Sequence, residues 1–480
     1  MDRGDVLVIG AGVVGAAIAR ELSRYRLRVM LVEKEPDVSS GASKANSGIV
    51  HSGLHDHPGT LKARLCVRGN LLYEALAAEL NFLYRRNGSL VVARGADELP
   101  RLDELIGQGR QNGVSGLELI GGAELERLEP SLKPGLAGGL LAPSGGIVIP
   151  FDLVFALVEN AVANGVELRL NTEVTGVRKQ RDGFMIETNQ GLIEADFVVN
   201  AAGLASGSVS RLLGDESITI HPVLGEEYLM DRRLAGLIQR TIFPLPTALS
   251  KGILVMPTVE GNLMIGPTAR RVERTAEPET SAAGWEEIFR ETRGLVPWLN
   301  PADLITSFAG LRATSDREDF IIAPSAVHPH WIQAAGINSP GLTAAPAIAE
   351  YVRELLYESG LRLAAKPDFN PVRKLVRLRE LDRERQAALM SEDPGYARIV
   401  CRCETVSEAE IRQAIRRGAT TLDGVKLRTR SGMGRCQGGF CTPRIIRILS
   451  EELGIAPEQI TKNGPGSPLL TGRLRGEESE

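Results

Sequence analysis

The chain of 480 residues has few aromatic side chains and no long uncharged apolar run, since Phe, Trp and Tyr make up only 4% of it. A transmembrane helix needs a run of about 18 such residues, so no direct membrane insertion is expected. The N-terminus lacks a basic region followed by an apolar stretch and a small-residue cleavage site, so no signal peptide is predicted. The net charge of −4 provides no overall basic field, so no nucleic-acid partner is expected.

Cysteine is also scarce, with five residues in the whole chain. Without a signal peptide the predicted compartment is the cytoplasm, where cysteines are thiols or metal ligands more often than disulfides. Glycine, in contrast, is abundant at 52 residues, and the 43% apolar and 24% charged fractions exclude a largely disordered or fibrous chain. Length and composition together predict two or three domains of an α/β protein with glycine-rich cofactor loops.

The first 35 residues have the pattern of a βαβ unit. An apolar run at 6–9 predicts a strand, a helical pattern follows over 13–23, and a second apolar run covers 28–32. Further along, helices are predicted over 61–80, 97–113 and 150–164, and strands over 166–170, 174–177 and 196–203. Short β runs between 218 and 268 predict an antiparallel sheet. Dense charge over 361–394 indicates a linker with a solvated helix, and disorder is expected from 464 onward.

A dinucleotide fingerprint, Gly10-Ala-Gly-Val-Val-Gly15, lies between the first strand and helix. Gly10 permits the tight turn, Gly12 lets the backbone approach a pyrophosphate, and Gly15 lets the helix contact the strand. Glu33, at the end of the next strand, suits the ribose hydroxyls and disfavours the 2′-phosphate of NADP. The fingerprint by itself does not distinguish FAD from NAD.

Longer motifs make that distinction. They are Asn46-Ser-Gly-Ile-Val-His-Ser-Gly53, Pro58-Gly-Thr-Leu-Lys-Ala63, Lys251-Gly-Ile-Leu-Val-Met-Pro-Thr258, Gly261-Asn-Leu-Met-Ile-Gly-Pro-Thr268, Phe308-Ala-Gly-Leu-Arg312 and Gly336-Ile-Asn-Ser-Pro-Gly-Leu-Thr-Ala-Ala-Pro346. With these motifs the chain resembles FAD-dependent oxidoreductases of the glycine-oxidase and D-amino-acid-oxidase type. Within that superfamily it resembles the anaerobic bacterial glycerol-3-phosphate dehydrogenases over residues 5 to 455. L-2-hydroxyglutarate dehydrogenases share several of the early motifs.

The resemblance implies an α/β fold with a Rossmann-like FAD-binding domain of the glutathione-reductase type, an antiparallel-sheet substrate domain and a small helical 2Fe–2S module. The expected boundaries are 1–80, 140–210 and 305–360 for FAD binding, 81–139 and 211–304 for substrate, 361–394 for the linker, 395–455 for the module and 456–480 for the tail. The residues expected to bind FAD are Gly10, Gly12, Gly15, Glu33, Ser43, Asn46, Ser47, Val174, Gly203, Gly310, Gly336, Ile337, Gly341, Leu342 and Thr343.

Three of the six histidines, His51, His55 and His57, lie within seven residues. The resemblance places His51 beside the flavin, where oxidation of an alcohol requires a base for the hydroxyl proton. His51 is the predicted base and His55 is its alternative. The resemblance also implies that Arg312 binds an anionic substrate group, for which its planar charged fork is suited. Lys251 could assist as a point charge or could be an exposed loop residue. A helix beginning near Thr343 would stabilise an anionic reduced flavin.

Four cysteines lie within 41 residues, as Cys401-x-Cys403 and Cys436-x₄-Cys441. Ser407 to Glu410 has the pattern of a capping box, and Thr442-Pro443 has that of an N-cap followed by proline at the first helical position. Neither cysteine pair has the C-x₂-C spacing usual for structural zinc, although zinc and a disulfide remain alternatives. The stretch Gly432 to Cys441 resembles the bacterioferritin-associated-ferredoxin-like module, which implies that Cys401, Cys403, Cys436 and Cys441 hold a 2Fe–2S cluster.

Three functions follow from these observations. In the first, a flavin dehydrogenase oxidises sn-glycerol 3-phosphate to dihydroxyacetone phosphate, and electrons leave FAD through the cluster to an electron-accepting protein subunit. In the second, the same machinery oxidises another small anionic substrate, L-2-hydroxyglutarate or an amino acid. In the third, the chain is a non-catalytic electron-transfer subunit. A separate iron–sulfur centre favours a dehydrogenase over an oxidase, because direct reaction with oxygen would not need it.

Overall fold

The computed structural model describes residues 2–246, 251–273 and 277–472. The chain divides into two compact units. The first comprises the residues before Glu35 together with Val38–Arg373, and the second comprises Glu35–Asp37 together with the residues from Lys374 onward.

Strands and helices alternate through the first unit. Its strands are β1 (Asp2–Ile9), β2 (Val29–Val32), β3 (Ile49–Val50), β4 (Tyr84–Arg85), β5 (Ser89–Ala93), β6 (Glu118–Gly121), β7 (Gly138–Ala142), β8 (Gly146–Val148), β9 (Glu167–Arg169), β10 (Val174–Lys179), β11 (Phe184–Thr188), β12 (Gly191–Asn200), β13 (Ile220–Met230), β14 (Thr241–Pro244), β15 (Leu254–Pro257), β16 (Leu263–Gly266), β17 (Arg270–Arg271), β18 (Leu304–Ser315), β19 (Ile321–Pro324) and β20 (Trp331–Ala335). Its helices are α1 (Val13–Leu22), α2 (Leu61–Leu80), α3 (Leu99–Gln111), α4 (Gly122–Leu128), α5 (Pro150–Ala163), α6 (Ser206–Leu213), α7 (Ala282–Arg293) and α8 (Gly341–Glu358).

The first sheet has a parallel centre in the order β9-β2-β1-β12-β20. The apolar run at 6–9 is buried on both faces, as expected for a central parallel strand. Helix α1 packs against α5 and α8. Strands β10 and β11 extend the sheet in antiparallel pairing beside β12. The predicted βαβ unit and the predicted helices over 61–80 and 150–164 are therefore confirmed to within one residue at each helix end.

The second sheet has the order β17-β13-β16-β15-β14-β5-β7-β6, and β18 also pairs with β13. It is antiparallel as predicted, except that β5 and β14 run parallel. Of the region predicted to contain short β runs, residues 247–250 lie outside the described residues. Strand β18 pairs with β13 along nearly its whole length. Residues 305–315 therefore belong to this sheet, although the predicted boundary assigned them to the FAD-binding domain.

The second unit contains β21 (Ile399–Cys401), β22 (Val406–Ser407), α9 (Arg383–Glu392), α10 (Glu408–Arg416), α11 (Leu422–Thr429) and α12 (Thr442–Leu453). Helix α9 has no buried residue, which agrees with the predicted solvated helix. The expectation of disorder from 464 is wrong for the described residues up to 472. Within that range Pro468 pairs with Thr461, which follows the fully buried Ile460, and the Ser467 hydroxyl donates to the Gly464 carbonyl at 2.7 Å. These contacts join the segment to the core of the unit.

Gly15 allows α1 to lie directly on the turn after β1. A Cβ atom at Gly15 would overlap the carbonyl oxygen of Gly10, which is a backbone atom and has little freedom to move. Gly10 itself has φ +99°, and a Cβ there would lie 2.6 Å from the carbonyl oxygen of Ala201. The turn therefore requires glycine at both positions.

We predict that Gly15→Ala destabilises the first unit by about 1–3 kcal/mol, because the added methyl group overpacks the contact between α1 and β1. The measurement is the urea midpoint of the flavin-free chain, followed by far-ultraviolet circular dichroism. Gly41→Ala is the matched control, because a Cβ at Gly41 has no atom within 4 Å. Equal midpoints for the two variants would contradict the prediction.

Candidate functional site

The predicted dinucleotide residues lie together at the carboxyl ends of β1 and β2. Gly12 is the N-cap of α1 and supplies no side chain to that end. Instead, the Ser43 hydroxyl accepts the Val13 N–H at 2.9 Å, and the Glu33 carboxylate accepts the Ala11 N–H at 2.8 Å. The structure thus brings Ser43 and Glu33 to the same glycine turn.

The turn leaves room for a pyrophosphate. A Cβ at Gly12 would meet only the Ser43 hydroxyl, at 3.1 Å, and a Cβ at Gly203 would have no atom within 4 Å. Gly203 follows β12, the strand beside β1. Thr172 donates its N–H to the Glu33 carbonyl at 2.8 Å. Val174, the first residue of β10, lies two residues further along the chain and is therefore close to Glu33. These positions fit FAD, whose pyrophosphate is held at a helix N-terminus and whose ribose meets the acidic residue.

The segment from Ala45 to His51 leads from this turn to the predicted catalytic residues. A Cβ at Gly310 of β18 would overlap the Ala45 carbonyl oxygen, so the two backbones are in close contact. The Asn46 side chain accepts the Gly48 N–H at 2.9 Å and forms a local turn. Ser47 donates its hydroxyl to Glu227 at 2.7 Å. Asn46 and Ser47 therefore lie on this segment, and Gly310 of β18 packs against its start.

Thr343 holds the far end of this segment against the start of α8. Its buried hydroxyl accepts the His51 N–H at 2.9 Å and donates to the Ile49 carbonyl at 3.3 Å. The remaining predicted residues of this region form the loop into α8. A Cβ at Gly341 would press on the Ile337 side chain, Gly336 has φ +64°, and the Leu342 carbonyl accepts the Tyr73 hydroxyl.

His51 and Lys251 meet at the hydroxyl of Ser339. The Nε2 atom of His51 lies 3.4 Å from the Ser339 Oγ, and the Lys251 Nζ lies 3.5 Å from the same atom. Lys251 is also 4.0 Å from the buried carboxylate of Asp56. Burial, together with the nearby Lys251 charge, holds the pKa of His51 well below its usual value. The imidazole is therefore neutral at pH 7 and able to accept a proton.

His55 lies close to His51 in a different environment. Its ring is 4.9 Å from the Phe243 ring and 6.4 Å from the His51 ring, measured between centroids. Both ring nitrogens are buried and have no hydrogen-bond partner among the described residues. Burial and Lys251 also lower the pKa of His55 well below its usual value. His55 therefore differs from His51, whose Nε2 contacts the Ser339 hydroxyl.

Arg312 and Glu227 form a second polar group, on the adjacent strands β18 and β13. Both terminal nitrogens of Arg312 approach the Thr268 carbonyl, at 3.2 and 3.3 Å. Burial raises the pKa of Glu227 to about 7, against the opposing effects of the Ser47 hydrogen bond and the Arg312 charge. Glu227 was not predicted, because within a β run it has only the pattern of a strand residue. Ser339 lies in the motif from Gly336 to Pro346, and nothing in that pattern distinguishes it as a contact of His51.

The four cysteines of the second unit form two pairs. The sulfurs of Cys403 and Cys436, both exposed, are 3.7 Å apart, and the buried Cys401 and Cys441 contact each other. The Cys441 thiol and the backbone amides of Gly432 and Glu404 donate to Cys401, and its pKa is lowered to about 6. Each pair thus joins one cysteine of the first motif to one of the second.

This pairing fits a 2Fe–2S cluster, which takes two thiolates at each iron. Two thiolates on one tetrahedral metal with bonds of about 2.3 Å lie roughly 3.7 Å apart. The capping box from Ser407 to Glu410 is confirmed. The predicted cap at Thr442 is wrong by one residue. Cys441 is the N-cap of α12 and Thr442 is its first helical residue, so the helix starts directly at one of the predicted cluster ligands.

Comparison with known families agrees with these sites. Residues 5–355 match the family described as FAD dependent oxidoreductase. The chain belongs to this family. Residues 399–451 match the BFD-like 2Fe-2S binding domain. The flavoenzyme is therefore an oxidoreductase, and its cofactors are FAD and a 2Fe–2S cluster, as the sequence predicted. None of its described helices is both long and apolar enough to cross a bilayer.

Three relatives show what this flavoenzyme is similar to. It is 43% identical to a glycerol 3-phosphate dehydrogenase of Caloramator mitchellensis over 98% of this chain and 99% of that one. It is 30% identical to the mitochondrial L-2-hydroxyglutarate dehydrogenase of Arabidopsis thaliana, over 73% and 83%. The FAD-bound, dithionite-reduced L-alpha-glycerophosphate oxidase of Mycoplasma pneumoniae superposes with TM-score 0.75 at 30% identity, over 78% of this chain and 100% of the oxidase.

We predict that Cys403→Ser removes the 2Fe–2S visible spectrum and most of the bound iron, because one iron loses a thiolate ligand. Bound iron and inorganic sulfide per chain are the measurements, and the flavin content is expected to be unchanged. Cys66→Ala is the control, since Cys66 is a buried cysteine of the first unit. Full iron content in Cys403→Ser would contradict the assignment.

Proposed function

We propose that this flavoenzyme oxidises sn-glycerol 3-phosphate to dihydroxyacetone phosphate and passes the electrons to a protein acceptor. The observation that carries the proposal is a neutral histidine, His51, grouped with Lys251 through Ser339. This group occurs in a chain that matches a glycerol 3-phosphate dehydrogenase over nearly the full length of both proteins. When bound, FAD supplies the hydride acceptor and the 2Fe–2S cluster supplies single-electron transfer.

His51 is the base in this proposal. Its neutral imidazole removes the hydroxyl proton at Nε2, while Thr343 fixes the backbone of His51 and Ser339 contacts the same ring nitrogen. Lys251 disfavours a positive imidazolium, which keeps His51 in its proton-accepting form. His55 suits this role less, because neither of its ring nitrogens opens to a substrate.

Arg312 is proposed to bind the phosphate of the substrate. It is held in place by the Thr268 carbonyl and lies on a strand of a sheet, which is a rigid support. A buried guanidinium remains charged, and the N–H groups that Thr268 does not use are suited to donate to phosphate oxygens. Lys251 adds a second positive charge next to His51, where it would favour the developing alkoxide oxygen.

The cysteine unit favours a dehydrogenase. The glycerophosphate oxidase of Mycoplasma pneumoniae is covered along its whole chain by 78% of this one, and the matched BFD-like domain lies at 399–451. Such an additional unit would serve to pass single electrons to a protein acceptor. L-2-hydroxyglutarate is the second candidate substrate, and the likeness to the Arabidopsis enzyme favours it.

The test is anaerobic reduction of the bound flavin, followed at about 450 nm. We expect glycerol 3-phosphate to bleach the wild type, and we expect His51→Ala to keep its FAD while bleaching roughly 100-fold more slowly, the usual range for loss of a general base. His57→Ala is the matched control, because His57 is the exposed histidine of the same segment.

Other outcomes identify other functions. Bleaching by L-2-hydroxyglutarate or glycine, without bleaching by glycerol 3-phosphate, would replace the proposed substrate. Failure of all three compounds to reduce the flavin would favour an electron-transfer subunit. Equal rates for His51→Ala and His57→Ala would remove His51 from the role of base.

Glu227 makes substrate affinity sensitive to pH. Below pH 7 its carboxyl group is neutral, and above pH 7 its negative charge partly offsets Arg312. We therefore predict that the ratio of the KM for glycerol 3-phosphate of the wild type to that of Glu227→Gln increases as the pH rises from 6 to 8. The phosphate of the substrate titrates near pH 6. That titration is common to both proteins and cancels in the ratio of their KM values. A ratio independent of pH would contradict the prediction.

A further inference from the structure

The cysteine-bearing segments 398–403 and 430–447 are strongly basic. Together they contain six arginines and no aspartate or glutamate, in a chain whose net charge is −4. The arginines are Arg398, Arg402, Arg430, Arg435, Arg444 and Arg447. By formal count, these two segments therefore have the opposite sign to the chain as a whole.

Acidic neighbours offset part of this charge, since Arg447 also lies 3.6 Å from Glu451, and the charge that is left at the surface comes from fewer arginines. Glu404 is buried and paired with Arg379 and Arg430, and the buried Glu408 is paired with Arg398 and Arg412. Arg402 and Arg444 are exposed and form no ion pair within the described parts of the chain. Arg402 directly precedes Cys403 and is thus an unneutralised charge next to a cluster ligand.

An exposed aromatic ring lies beside this charge. Phe440 is 67% exposed and stands between Cys436 and Cys441 in the chain. The Arg402 guanidinium carbon is 5.7 Å from the centre of the Phe440 ring. Cys403 and Cys436 are the exposed cysteine pair, whereas Cys401 and Cys441 are buried. An exposed phenylalanine beside an exposed arginine presents two of the residue types that are enriched in protein–protein interfaces.

We propose that Arg402, Phe440 and the exposed Cys403–Cys436 pair form a docking surface for a redox protein with an acidic face. The inference rests on the proposed function, because it identifies the kind of acceptor that receives the electrons. Opposite charges would orient the acceptor over the exposed cysteine pair, and the Phe440 ring would be covered on contact. One electron leaves the reduced cluster and reduces one metal ion of the acceptor, and no proton or bond is transferred.

The first test measures binding without turnover. Plastocyanin serves as the acidic probe and cytochrome c as the basic probe, because both are small one-electron acceptors. Biolayer interferometry with the oxidised holoprotein is expected to show plastocyanin binding that is lost near 1 M salt, where charges are screened beyond about 3 Å. At low salt, Arg402→Glu is expected to raise the Kd for plastocyanin at least tenfold, and Phe440→Ser is expected to raise it as well.

Arg362→Glu is the matched control, because Arg362 is an exposed arginine of the first unit and the substitution changes the net charge equally. It is expected to leave the Kd unchanged. Equal loss of binding in both variants, or no plastocyanin binding by the wild type, would overturn the docking surface. Binding of cytochrome c in preference to plastocyanin, or binding of anionic phospholipid vesicles that depends on Arg402 when plastocyanin binding does not, would also overturn it.

The second test separates this inference from the proposed substrate. The holoprotein is reduced with dithionite, freed of excess reductant, and mixed with each probe in a stopped-flow instrument. We expect Arg402→Glu to slow electron transfer to plastocyanin at least tenfold and to leave the rate with ferricyanide within twofold of the wild type. Unchanged transfer to plastocyanin would refute the docking surface alone. Failure of the wild-type cluster to reduce any of the three acceptors would refute the electron route of the proposed function.

Discussion

One buried hydroxyl group, that of Thr343, joins the two parts of the chain that make the candidate active site. It accepts the His51 N–H and donates to the Ile49 carbonyl, across 292 and 294 residues of sequence. Loss of such a hydroxyl would leave buried backbone groups without partners, which costs about 1–3 kcal/mol for each group. Ser339, in the same loop, contacts the His51 ring. A shift of the start of α8 would therefore move both the backbone support and the ring partner of the proposed base.

The electrostatic state of the site follows from burial combined with a few fixed cations. Burial alone lowers the pKa of a histidine and raises that of a carboxyl group, and both effects are present in His51 and Glu227. Lys251 strengthens the first effect, whereas Arg312 opposes the second. The two cations thus have different neighbours. Lys251 lies beside the proposed base His51, and Arg312 lies beside Glu227, whose pKa is about 7.

Local sequence patterns correctly predicted turns, helices and a cap that are determined by residues close together in the chain. The turn from Gly10 to Gly15, helices α2 and α5, and the capping box at Ser407 follow from spacing over a few residues. Glu227 could not be recognised, because its pKa depends on burial between strands and on Ser47, 180 residues away. The burial of Ile460 and the pairing of Cys403 with Cys436 likewise arise from packing between distant segments. The fold and cofactors were therefore predictable, whereas the charge states and the edges of the units were not.

The parallel pair of β5 and β14 has a consequence for how the protein is made. Between these two strands the chain leaves the second sheet and completes β12 of the first, and after β18 it returns to the first sheet with β20. Neither sheet has all its strands until β18 or β20 has been synthesised. During synthesis, strands of both sheets therefore lack their last partners until most of the chain has been made, and unpaired strand edges are prone to associate with other chains.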